Sequence, residues 1–241
     1  SDKERMRRRF KEAGVPSPEF TIVHSSDFSQ NRVPQLPFSF PVVVKPVDNM
    51  GARGCRRVDT EEELRSALTD ALSFSRSGRA IVEEYMEGPE FSVDAIVYKG
   101  EITICGLADR HIFFPPYFIE MGHTMPTSLP NDRAEWLLSV FKAGVKALGI
   151  TNGAAKGDVK LTPRGPMIGE IAARLSGGYM SGWTYPYASG VEPTRAAISV
   201  ALGEAPKDLE PTRNWTSAER AFISIPGQVS EIYGLDEARS I

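Results

Sequence analysis

Two acidic residues and an arginine have the types and spacing of a site that binds a metal ion and phosphate. Asp158 and Glu170 each alternate with apolar residues, which predicts two neighbouring strands, and Arg174 follows the second acid by four positions. Magnesium takes oxygen ligands and is commonly bound by one or two carboxylates together with nucleotide phosphates. The pattern therefore predicts a magnesium site at the two acids, with Arg174 meeting phosphate oxygens or a substrate carboxylate. Because an unpaired charge is costly to bury, the alternative is that the acids pair with Lys156, Lys160 and Arg174.

A lysine and a glycine-bearing loop nearer the N-terminus could contact nucleotide phosphates. Lys45 ends a predicted strand of three valines, so its compact charge faces a cleft or solvent. In the loop of residues 49–54, Gly51 and Gly54 let backbone N–H groups approach phosphates, and Arg53 adds positive charge. A surface lysine and a plain hairpin turn are the alternatives. Neither the GxxxxGK[ST] loop nor the GxGxxG fingerprint occurs in the chain.

The segment after the next predicted strand could bind the rest of a nucleotide. Residues 83–86, Glu-Glu-Tyr-Met, lie just before a Gly-Pro pair, and their backbone could pair with the edge of an adenine ring. Met86 would pack on that ring, because its polarizable thioether makes favourable aromatic contacts. Glu90 could accept hydrogen bonds from ribose hydroxyls, and its alternative is an exposed carboxylate in a turn.

Glu120 and His123 flank a glycine in an aromatic segment that is rich in proline. A histidine beside a carboxylate can orient or deprotonate a substrate, although a single histidine is more often structural. The nearby run of residues 109–111, Asp-Arg-His, could equally be a surface cluster of salt bridges.

The composition is that of an ordinary globular protein and argues against nucleic acid or an anionic membrane as a partner. The chain has 241 residues, 41% of them hydrophobic, and a net charge of −3. The three arginines at residues 7–9 are interpreted as a solvated helix face. Cys55 and Cys105 lie far apart, and neither a secretory signal nor an apolar run long enough for a bilayer occurs. We therefore expect a cytoplasmic protein without a membrane segment.

Periodicity and turn residues predict an α+β protein in three parts. These are an N-terminal helix with its linker (residues 1–18), a small lobe (19–88) and a larger lobe (89–241). Asp2 is expected to cap the first helix and Gly14 to end it. The remaining expectations are a loop at 25–37, a capping box at Thr60 and Glu63, an ordered loop or irregular strand at 111–130, a flexible segment at 176–182, and strands at 218–225 and 229–233.

Taken in order along the chain, these motifs resemble the ATP-grasp superfamily. Within it they are most similar to the carboxylate–amine ligases that include L-amino-acid ligases and carbamoyl-phosphate-synthetase-like proteins. The resemblance rests on Phe-Pro-Val-Val-Val-Lys-Pro at 40–46, the loop at 51–54, Ile-Val-Glu-Glu-Tyr at 81–85, Gly-Pro-Glu-Phe at 88–91 and Glu-Ile-Ala-Ala-Arg at 170–174. It implies an ATP-grasp fold, in which two α+β lobes clasp a nucleotide between them. Family members carry an N-terminal α/β domain before this region, so we expect the chain to be a fragment.

The resemblance also implies a role for each candidate residue. The catalytic residues would be Lys45, Arg174, Glu120 and His123, the last two lining the acceptor site. The contacts to ATP would come from Lys3, Lys45, Met50, Gly51, Arg53 and Gly54 at the phosphates, Glu83, Glu84, Tyr85 and Met86 at adenine, and Glu90 at the ribose. The ligands of Mg2+, or of Mn2+ in its place, would be Asp158 and Glu170. The family often has glutamate at position 158 and asparagine at position 172, where this chain has Asp158 and Ala172.

The implied activity is ATP-dependent formation of a carbon–nitrogen bond between a carboxylate and an amine through an acyl phosphate. The carboxylate would be an amino acid or another small acid, and a homodimer is one assembly to expect. Two alternatives remain, namely carbamoyl-phosphate-synthetase-like chemistry on bicarbonate and a catalytically silent ATP-binding regulatory domain. Ala172 favours the second alternative because it cannot ligate a metal ion.

Overall fold

Two antiparallel sheets with helices packed against them make up the fold. The computed structural model describes residues 2–29, 35–223 and 227–240. The strands are β1 Phe20–His24, β2 Val42–Pro46, β3 Arg56–Val58, β4 Arg79–Glu84, β5 Glu90–Tyr98, β6 Glu101–Phe113, β7 Ile119–Met125, β8 Gly153–Thr162, β9 Gly165–Ala172 and β10 Ser217–Arg220. The helices are α1 Lys3–Glu12, α2 Ser25–Ser29, α3 Glu61–Ser73, α4 Asn131–Ala147, α5 Tyr185–Ser189, α6 Pro193–Ala201 and α7 Leu235–Arg239, and a π-helical segment at Met180–Thr184 runs into α5.

The first sheet has the order β1–β4–β2–β3, and each neighbouring pair is antiparallel. Successive side chains of a strand alternate between faces, so Val42 and Val44 enter the core beneath α3 whereas Lys45 faces the other way. Thr60 caps α3, because its hydroxyl accepts the N–H of Glu63 at 3.4 Å. The carboxylate of Glu63 accepts the N–H of Asp59 and not that of Thr60, so the predicted capping box forms only in part. This alternation is what presents Lys45 to the space between the two sheets.

The second sheet has the order β10–β7–β6–β5–β8–β9 and is also antiparallel. Its strand β5 is buried along most of its length because helices cover both faces. Val93 packs with Leu137 and Phe141 of α4 on one face, and Ile96 packs with Val200 of α6 on the other. The polar residues of this sheet that line the site therefore lie in a rigid, well-packed layer.

Helix α1 packs on the core of the second sheet, and Asp2 caps it as predicted. The interpretation of residues 7–9 as a solvated face is wrong for Arg7, which is fully buried, although the next two arginines are exposed. The reason is the spacing of the buried stripe, since positions three and four apart share one helix face. The buried residues of the helix are Lys3, Met6, Arg7 and Phe10.

Several segments differ from their predictions. Half of residues 111–130, namely 111–113 and 119–125, belong to β6 and β7, which pair with a register shift after His111, so this part is irregular strand and not an ordered loop. Residues 229–233 form no strand and are exposed, and no described strand pairs with them.

Three other expectations are met only in part. Residues 25–29 of the predicted loop form α2, while residues 30–34 of that loop and 224–225 of the predicted strand at 218–225 lie outside the described residues. Residues 176–182 include the start of the π-helical segment, where Met180 and Ser181 are buried. In the described parts of the chain, every helix falls short of the length and apolar content that a membrane span requires.

The tip of the hairpin between β6 and β7 reaches the first sheet. The N–H of Arg57 in β3 donates to the carbonyl of Pro116 in the tip at 2.9 Å. The ring of Phe118 stacks on Tyr85, just beyond β4, with 6.5 Å between ring centres. The second sheet thus contacts the edge of the first through this tip.

Candidate active site

A cavity of about 540 Å3 lies between the two sheets, and every residue predicted for the site lines it except Gly54. The predicted residues that line it are Lys3, Lys45, Met50, Gly51, Arg53, Glu83, Glu84, Tyr85, Met86, Glu90, Glu120, His123, Asp158, Glu170 and Arg174. Residues far apart in sequence therefore meet in one cleft.

The loop at residues 50–54 forms one wall of the cavity. Gly51 and Gly54 both have positive φ, which lets the chain turn sharply there. Gly54 packs against the end of α3. A Cβ at this position would come within 2.9 Å of the Phe74 ring. Packing therefore explains this glycine, whereas Met50 is 78% exposed at the rim of the cavity.

A buried carboxylate, Glu83, fixes the position of Lys45. Its Oε2 lies 2.7 Å from Nζ of Lys45, and its Oε1 accepts a hydrogen bond from Nε of Arg7 at 2.7 Å. Burial alone would raise the pKa of Glu83, but the two cations outweigh burial and lower that pKa to about 2. Glu83 therefore stays charged and holds the lysine at the cavity wall.

Arg7 is a residue of the site that the sequence analysis missed. In addition to its ion pair, its guanidinium donates to the carbonyls of Ile168 at 3.0 Å and Gly169 at 2.6 Å. The register of β8 against β9 shifts at this point, which sets Glu170 opposite Asp158. Arg7 satisfies carbonyls that the irregular pairing exposes. Its place in the buried stripe of α1 was the available signal.

The side chain of Asp158 is 14% exposed and is paired with cations. Nζ of Lys156, a guanidinium nitrogen of Arg110 at 3.4 Å and the hydroxyl of Ser92 at 3.3 Å all contact its Oδ1. Burial would raise the pKa of Asp158, but Arg110 and Lys156 lower it below its ordinary value. The pairing with Lys156, which was the alternative to a metal site, is therefore present. Because each of these contacts falls on Oδ1, they leave Oδ2 for a further ligand.

Arg110 joins three carboxylates of the site and was also missed. Its guanidinium pairs with Glu90, with Glu120 at 2.7 Å and with Asp158 at 3.4 Å. Burial would lower its pKa, but these acids raise it well above the ordinary value. The interpretation of residues 109–111 as a surface cluster is wrong for Arg110, because β6 places it beside Glu90 and His123 on the neighbouring strands.

Glu170 is the more accessible of the two predicted metal ligands. Its side chain is 35% exposed, and Nζ of Lys3 lies 3.9 Å from its Oε1. Nζ of Lys3 also donates to the carbonyl of Asn49 at 2.7 Å. Burial lowers the pKa of Lys3, and the charge of Glu170 opposes that shift. Lys3 and Glu170 thus hold each other at the cavity, where both side chains are within reach of a ligand.

Lys160 organises the segment that was predicted to bind adenine. Its Nζ donates to the carbonyl of Met86 at 3.1 Å, lies 5.0 Å from the ring centre of Tyr85 and lies 3.6 Å from Glu90. Glu84 pairs with an arginine of the β8–β9 turn at 2.7 Å. Two basic side chains therefore contact this segment, and the carbonyl of Met86 already accepts a hydrogen bond from Lys160.

His123 is almost completely buried, and both its ring nitrogens have partners. Nδ1 lies 2.6 Å from Oε1 of Glu219, while Nε2 lies 3.1 Å from Oγ of Ser92 and 3.9 Å from Oε2 of Glu120. Among the residues that the structure describes, Glu120, His123 and Glu219 are the one group of three side chains close enough to share a metal ion. Arg110 already binds Glu120, so the contacts present are those of a hydrogen-bonded cluster. Glu219, 96 positions away, gave no sequence signal.

Arg174 is exposed, and a buried aspartate holds the loop that follows it. Nη1 of Arg174 donates to the carbonyl of Leu175 at 2.8 Å. Asp94 of β5 accepts the N–H and hydroxyl of Ser176 at 3.1 and 2.6 Å and the hydroxyl of Ser181 at 2.7 Å. Burial raises the pKa of Asp94, and these hydrogen bonds oppose the shift. The loop is therefore fixed to the sheet while the arginine stays available.

A family model described as ATP-grasp domain matches residues 38–182, which is more than half of the chain. The chain therefore belongs to the ATP-grasp family, and the predicted α+β ATP-grasp fold is confirmed.

Similar proteins include ligases and a synthase. Carnosine synthase 1 of Gallus gallus is 28% identical over 179 residues, covering 69% of this chain and 19% of that protein. A D-alanine–D-alanine ligase of Pseudomonas entomophila is 25% identical over 154 residues, covering 62% of this chain and 46% of that protein. The crystal structure of an L-amino acid ligase from Bacillus licheniformis matches with a TM-score of 0.83 and 23% identity, covering 100% of this chain and 58% of that chain. The chain thus spans less than half the length of these two curated relatives.

Proposed function

We propose that the protein is an ATP-dependent ligase that joins a carboxylate to an amine through an acyl phosphate. The relatives named above, ligases and a synthase by name, support this proposal. The observation that carries it is that one cavity brings together basic groups suited to phosphates, acids suited to a metal ion, and a histidine beside a carboxylate. Its groups are the cations Lys3 and Lys45, the facing acids Asp158 and Glu170, the arginine Arg174, and the pair Glu120 and His123.

The nucleotide would lie across the edge of the first sheet. Lys45, anchored by Glu83, and Lys3 would contact its phosphates, and the loop at residues 50–54 would cover them. Met86 would pack on adenine, and Glu90 would accept the ribose hydroxyls in exchange for part of its contact with cations.

The residues present fit a magnesium ion beside those phosphates. The side chain of Glu170 is partly exposed in the cavity, and the contacts of Asp158 converge on Oδ1, which leaves Oδ2. Oxygen ligands of this kind suit Mg2+ and also Mn2+. The ion would supply charge neutralisation at the transferring phosphoryl group. Ala172 adds no ligand, so water would complete the coordination.

The chain's own groups would then act in two steps. An oxygen of the substrate carboxylate attacks the γ-phosphorus, and Lys45 and Arg174 offset the charge that develops on the phosphoryl oxygens while ADP leaves. The amine nitrogen next attacks the acyl carbon and displaces phosphate, giving an amide. Glu120 holds the ammonium group of the incoming amine, and His123 accepts a proton from it.

The test is release of ADP and phosphate with Mg2+ present, using pooled amino acids and then pooled simple acids with and without amines. We expect release that requires both an acid and an amine. Lys45→Ala and Glu170→Ala should each lower this turnover by at least about 100-fold, because each removes a charge that acts on the transferring phosphoryl group. Full ligation by either variant would contradict the assignment of its residue.

Bicarbonate is the second candidate for the acid, and one feature of the cavity argues against it. Gly177 and Gly178 line the cavity after Arg174 and leave room for an organic carboxylate. Formation of ADP with bicarbonate and no amino acid would reverse this preference. Binding of ATP with no turnover on any acid and amine would instead favour the silent regulatory domain, which Ala172 suggests.

We also propose that the chain divides into two lobes and that the protein is cytoplasmic. The two sheets, which span residues 20–84 and 90–220, support a small lobe at 19–88 and a larger lobe at 89–241, although α1 packs with the larger one. Both cysteines are free, which is in keeping with a reducing cytoplasm.

A further inference from the structure

Strand β10 brings a carboxylate to the back of the histidine at the acceptor end of the cavity. β10 pairs with β7 so that Glu219 lies directly opposite His123, and Oε1 of Glu219 is 2.6 Å from Nδ1 of the ring. We propose that Glu219 is a positioning residue that keeps His123 in the form able to accept a proton from the amine substrate. This inference rests on the proposed ligase function.

The backbone of β7 is adapted to this approach. Gly122 has φ of +137°, and a Cβ on it would lie 2.0 Å from the carbonyl oxygen of Glu219. Any other residue would push β10 away, so the glycine between Glu120 and His123 is needed for the contact. Nη1 of Arg220 then donates to the carbonyls of His123 and Glu219, each at 2.6 Å. The two strands are therefore locked in the register that makes the pair.

The carboxylate of Glu219 is itself oriented. Its Oε2 accepts the N–H of Tyr179 at 3.2 Å, which leaves Oε1 for the histidine. The side chain of Glu219 is 18% exposed; its contact with His123 is partly buried, whereas the hydrogen bond from Tyr179 is exposed. Three segments of the chain, β7, β10 and the loop after Ser176, thus converge on one carboxylate.

An ionised carboxylate only accepts hydrogen bonds, so the contact requires a proton on Nδ1 of His123. In the neutral ring, Nε2 then carries the free electron pair and points toward Ser92 and Glu120. The hydroxyl of Ser92 can donate to Nε2 at 3.1 Å or to Oδ1 of Asp158 at 3.3 Å. When Nε2 gains a proton, the hydroxyl can turn to Asp158 and accept from the ring. Both protonation states of His123 are therefore hydrogen-bonded without movement of the backbone.

The charges around the ring come from four strands of the second sheet. Among the described residues, Glu219 is the acid hydrogen-bonded to the ring, whereas Glu120 lies 3.9 Å from Nε2, and the guanidinium of Arg110 pairs with both Glu120 and Asp158. Glu219 thus balances the positive charge that forms on the ring. The charged and titratable groups on these strands near the ring are Arg110, His111, Glu120, Lys156, Asp158, Glu219 and Arg220.

Glu219 and His123 would act in the second step, in which the amine attacks the acyl phosphate and must lose two protons. The ammonium group first loses one proton to Nε2 of His123. The free amine then forms the bond to the acyl carbon while the carbon–oxygen bond to phosphate breaks and phosphate takes the electron pair. The second proton leaves the new amide nitrogen and goes to the departing phosphate. Without Glu219, the ring can place its proton on Nε2 instead, and in that form it cannot accept the first proton.

A partial reaction separates this role from the rest of the chemistry. Hydroxylamine is a neutral nucleophile that needs no base, so it traps an acyl phosphate as a hydroxamate whatever the state of His123. We expect Glu219→Gln to lower turnover with an amino acid as the amine by about 10- to 100-fold, within the range that a positioned proton acceptor contributes. Turnover with hydroxylamine should stay within about twofold, Glu219→Asp should recover part of the loss, and the exposed Glu135→Gln should change neither rate.

The outcomes are distinct. Wild-type protein that forms no hydroxamate from any acid contradicts the ligase function itself. Glu219→Gln that loses both reactions equally has only a structural role, and Glu219→Gln that keeps both has none, so either result overturns the inference.

A second measurement does not depend on activity. The chain has three histidines, and nitrogen-15 spectra of labelled histidine distinguish the two neutral tautomers. Variants His24→Gln and His111→Gln assign the remaining signal to His123. We expect the neutral ring to carry its proton on Nδ1 in the wild type and to lose this preference in Glu219→Ala. A wild-type proton on Nε2, or an unchanged tautomer in the variant, overturns the inference.

Discussion

At the scale of single residues, the charges of the site are held in place before any substrate binds. Lys45 is fixed by Glu83, and Asp158 is fixed by Lys156 and Arg110. Groups that are oriented in advance stabilise a developing charge without the cost of reorganising during the reaction. The same pairs make the site sensitive, because removing one member of a buried pair leaves the other uncompensated.

Glu83→Gln should therefore destabilise the fold as well as the site. The change leaves Arg7 and Lys45 without a buried partner, and we expect the free energy of unfolding at pH 7 to fall by about 3–5 kcal/mol. Urea denaturation measures this change, and the exposed Glu204→Gln is the matched control. A loss below about 1 kcal/mol would show that the pair contributes little to stability.

The pH dependence of the same carboxylate follows from its lowered pKa. The folded-state pKa of Glu83 is about 2, below its ordinary value of 4.5, so the stability it contributes is complete above pH 4.5 and is lost as the pH falls toward 2. The difference in unfolding free energy between wild type and Glu83→Gln should shrink across this window. Urea curves at pH 7, 4 and 3 test this, and a constant difference would contradict the assignment.

At the scale of elements, the loop after β9 is attached to β5 through one buried carboxylate. Asp94 accepts three hydrogen bonds from Ser176 and Ser181, and Arg174 lies just before the first of these serines. The position of the arginine thus depends on a strand in the middle of the second sheet. Nothing in this attachment involves Lys3, Lys45 or the loop at residues 50–54.

Asp94→Asn should loosen this loop selectively. The amide nitrogen would face a serine donor, so at least one hydrogen bond is lost, at about 1–3 kcal/mol in stability. We expect the KM for the acid substrate to rise several-fold while the KM for ATP changes little, with the exposed Asp70→Asn as control. Steady-state kinetics with each substrate varied in turn would decide, and an equal rise in both KM values would contradict the separation.

At the scale of the whole molecule, the site lies between two sheets that pack their own separate cores. A ligand that contacts both sheets adds the free energy of its binding to the stability of the fold. Glu170 and Lys45 lie on opposite walls of the cavity, so ATP with Mg2+ would be bound by both sheets at once.

ATP with Mg2+ should accordingly raise the melting temperature. At a ligand concentration 100 times Kd the gain is about 2.7 kcal/mol, which corresponds to roughly 5–10 °C for a chain of this size. Chelation with EDTA should remove part of the rise, and Glu170→Ala should remove the same part. A melting temperature that does not respond to ATP would contradict the nucleotide site, and a response indifferent to Mg2+ would contradict the metal ligands.

The sequence predicted the parts of the molecule that depend on local pattern. The alternation around Val42 and Val44 and the cap at Thr60 depend on neighbours in the chain, and both are present as expected. The motif residues from Lys45 to Arg174, apart from Gly54, line one cavity, and their roles stay predictions. The prediction of a strand at residues 229–233 failed because a strand also needs a partner.

What the sequence did not give was the partner of each buried charge. Strand register sets the partners of Arg110 and Glu219. The packing of α1 against both sheets sets those of Arg7. A shift of one residue in β8, β9 or β10 would turn these contacts to the opposite face. Their spacing within the chain carries no information about such register, so only the folded arrangement identifies their partners.

The tip between β6 and β7 has a consequence for how this protein could change over evolutionary time. It touches the first sheet through one backbone hydrogen bond and one stacked ring, and Phe114 and Tyr117 within it are each 53% exposed. A tip so lightly attached tolerates insertions and deletions, as surface loops generally do. Phe118 and Ile119 nonetheless line the cavity. A change in the length of this tip could therefore reshape the cavity while the charged residues stay as they are.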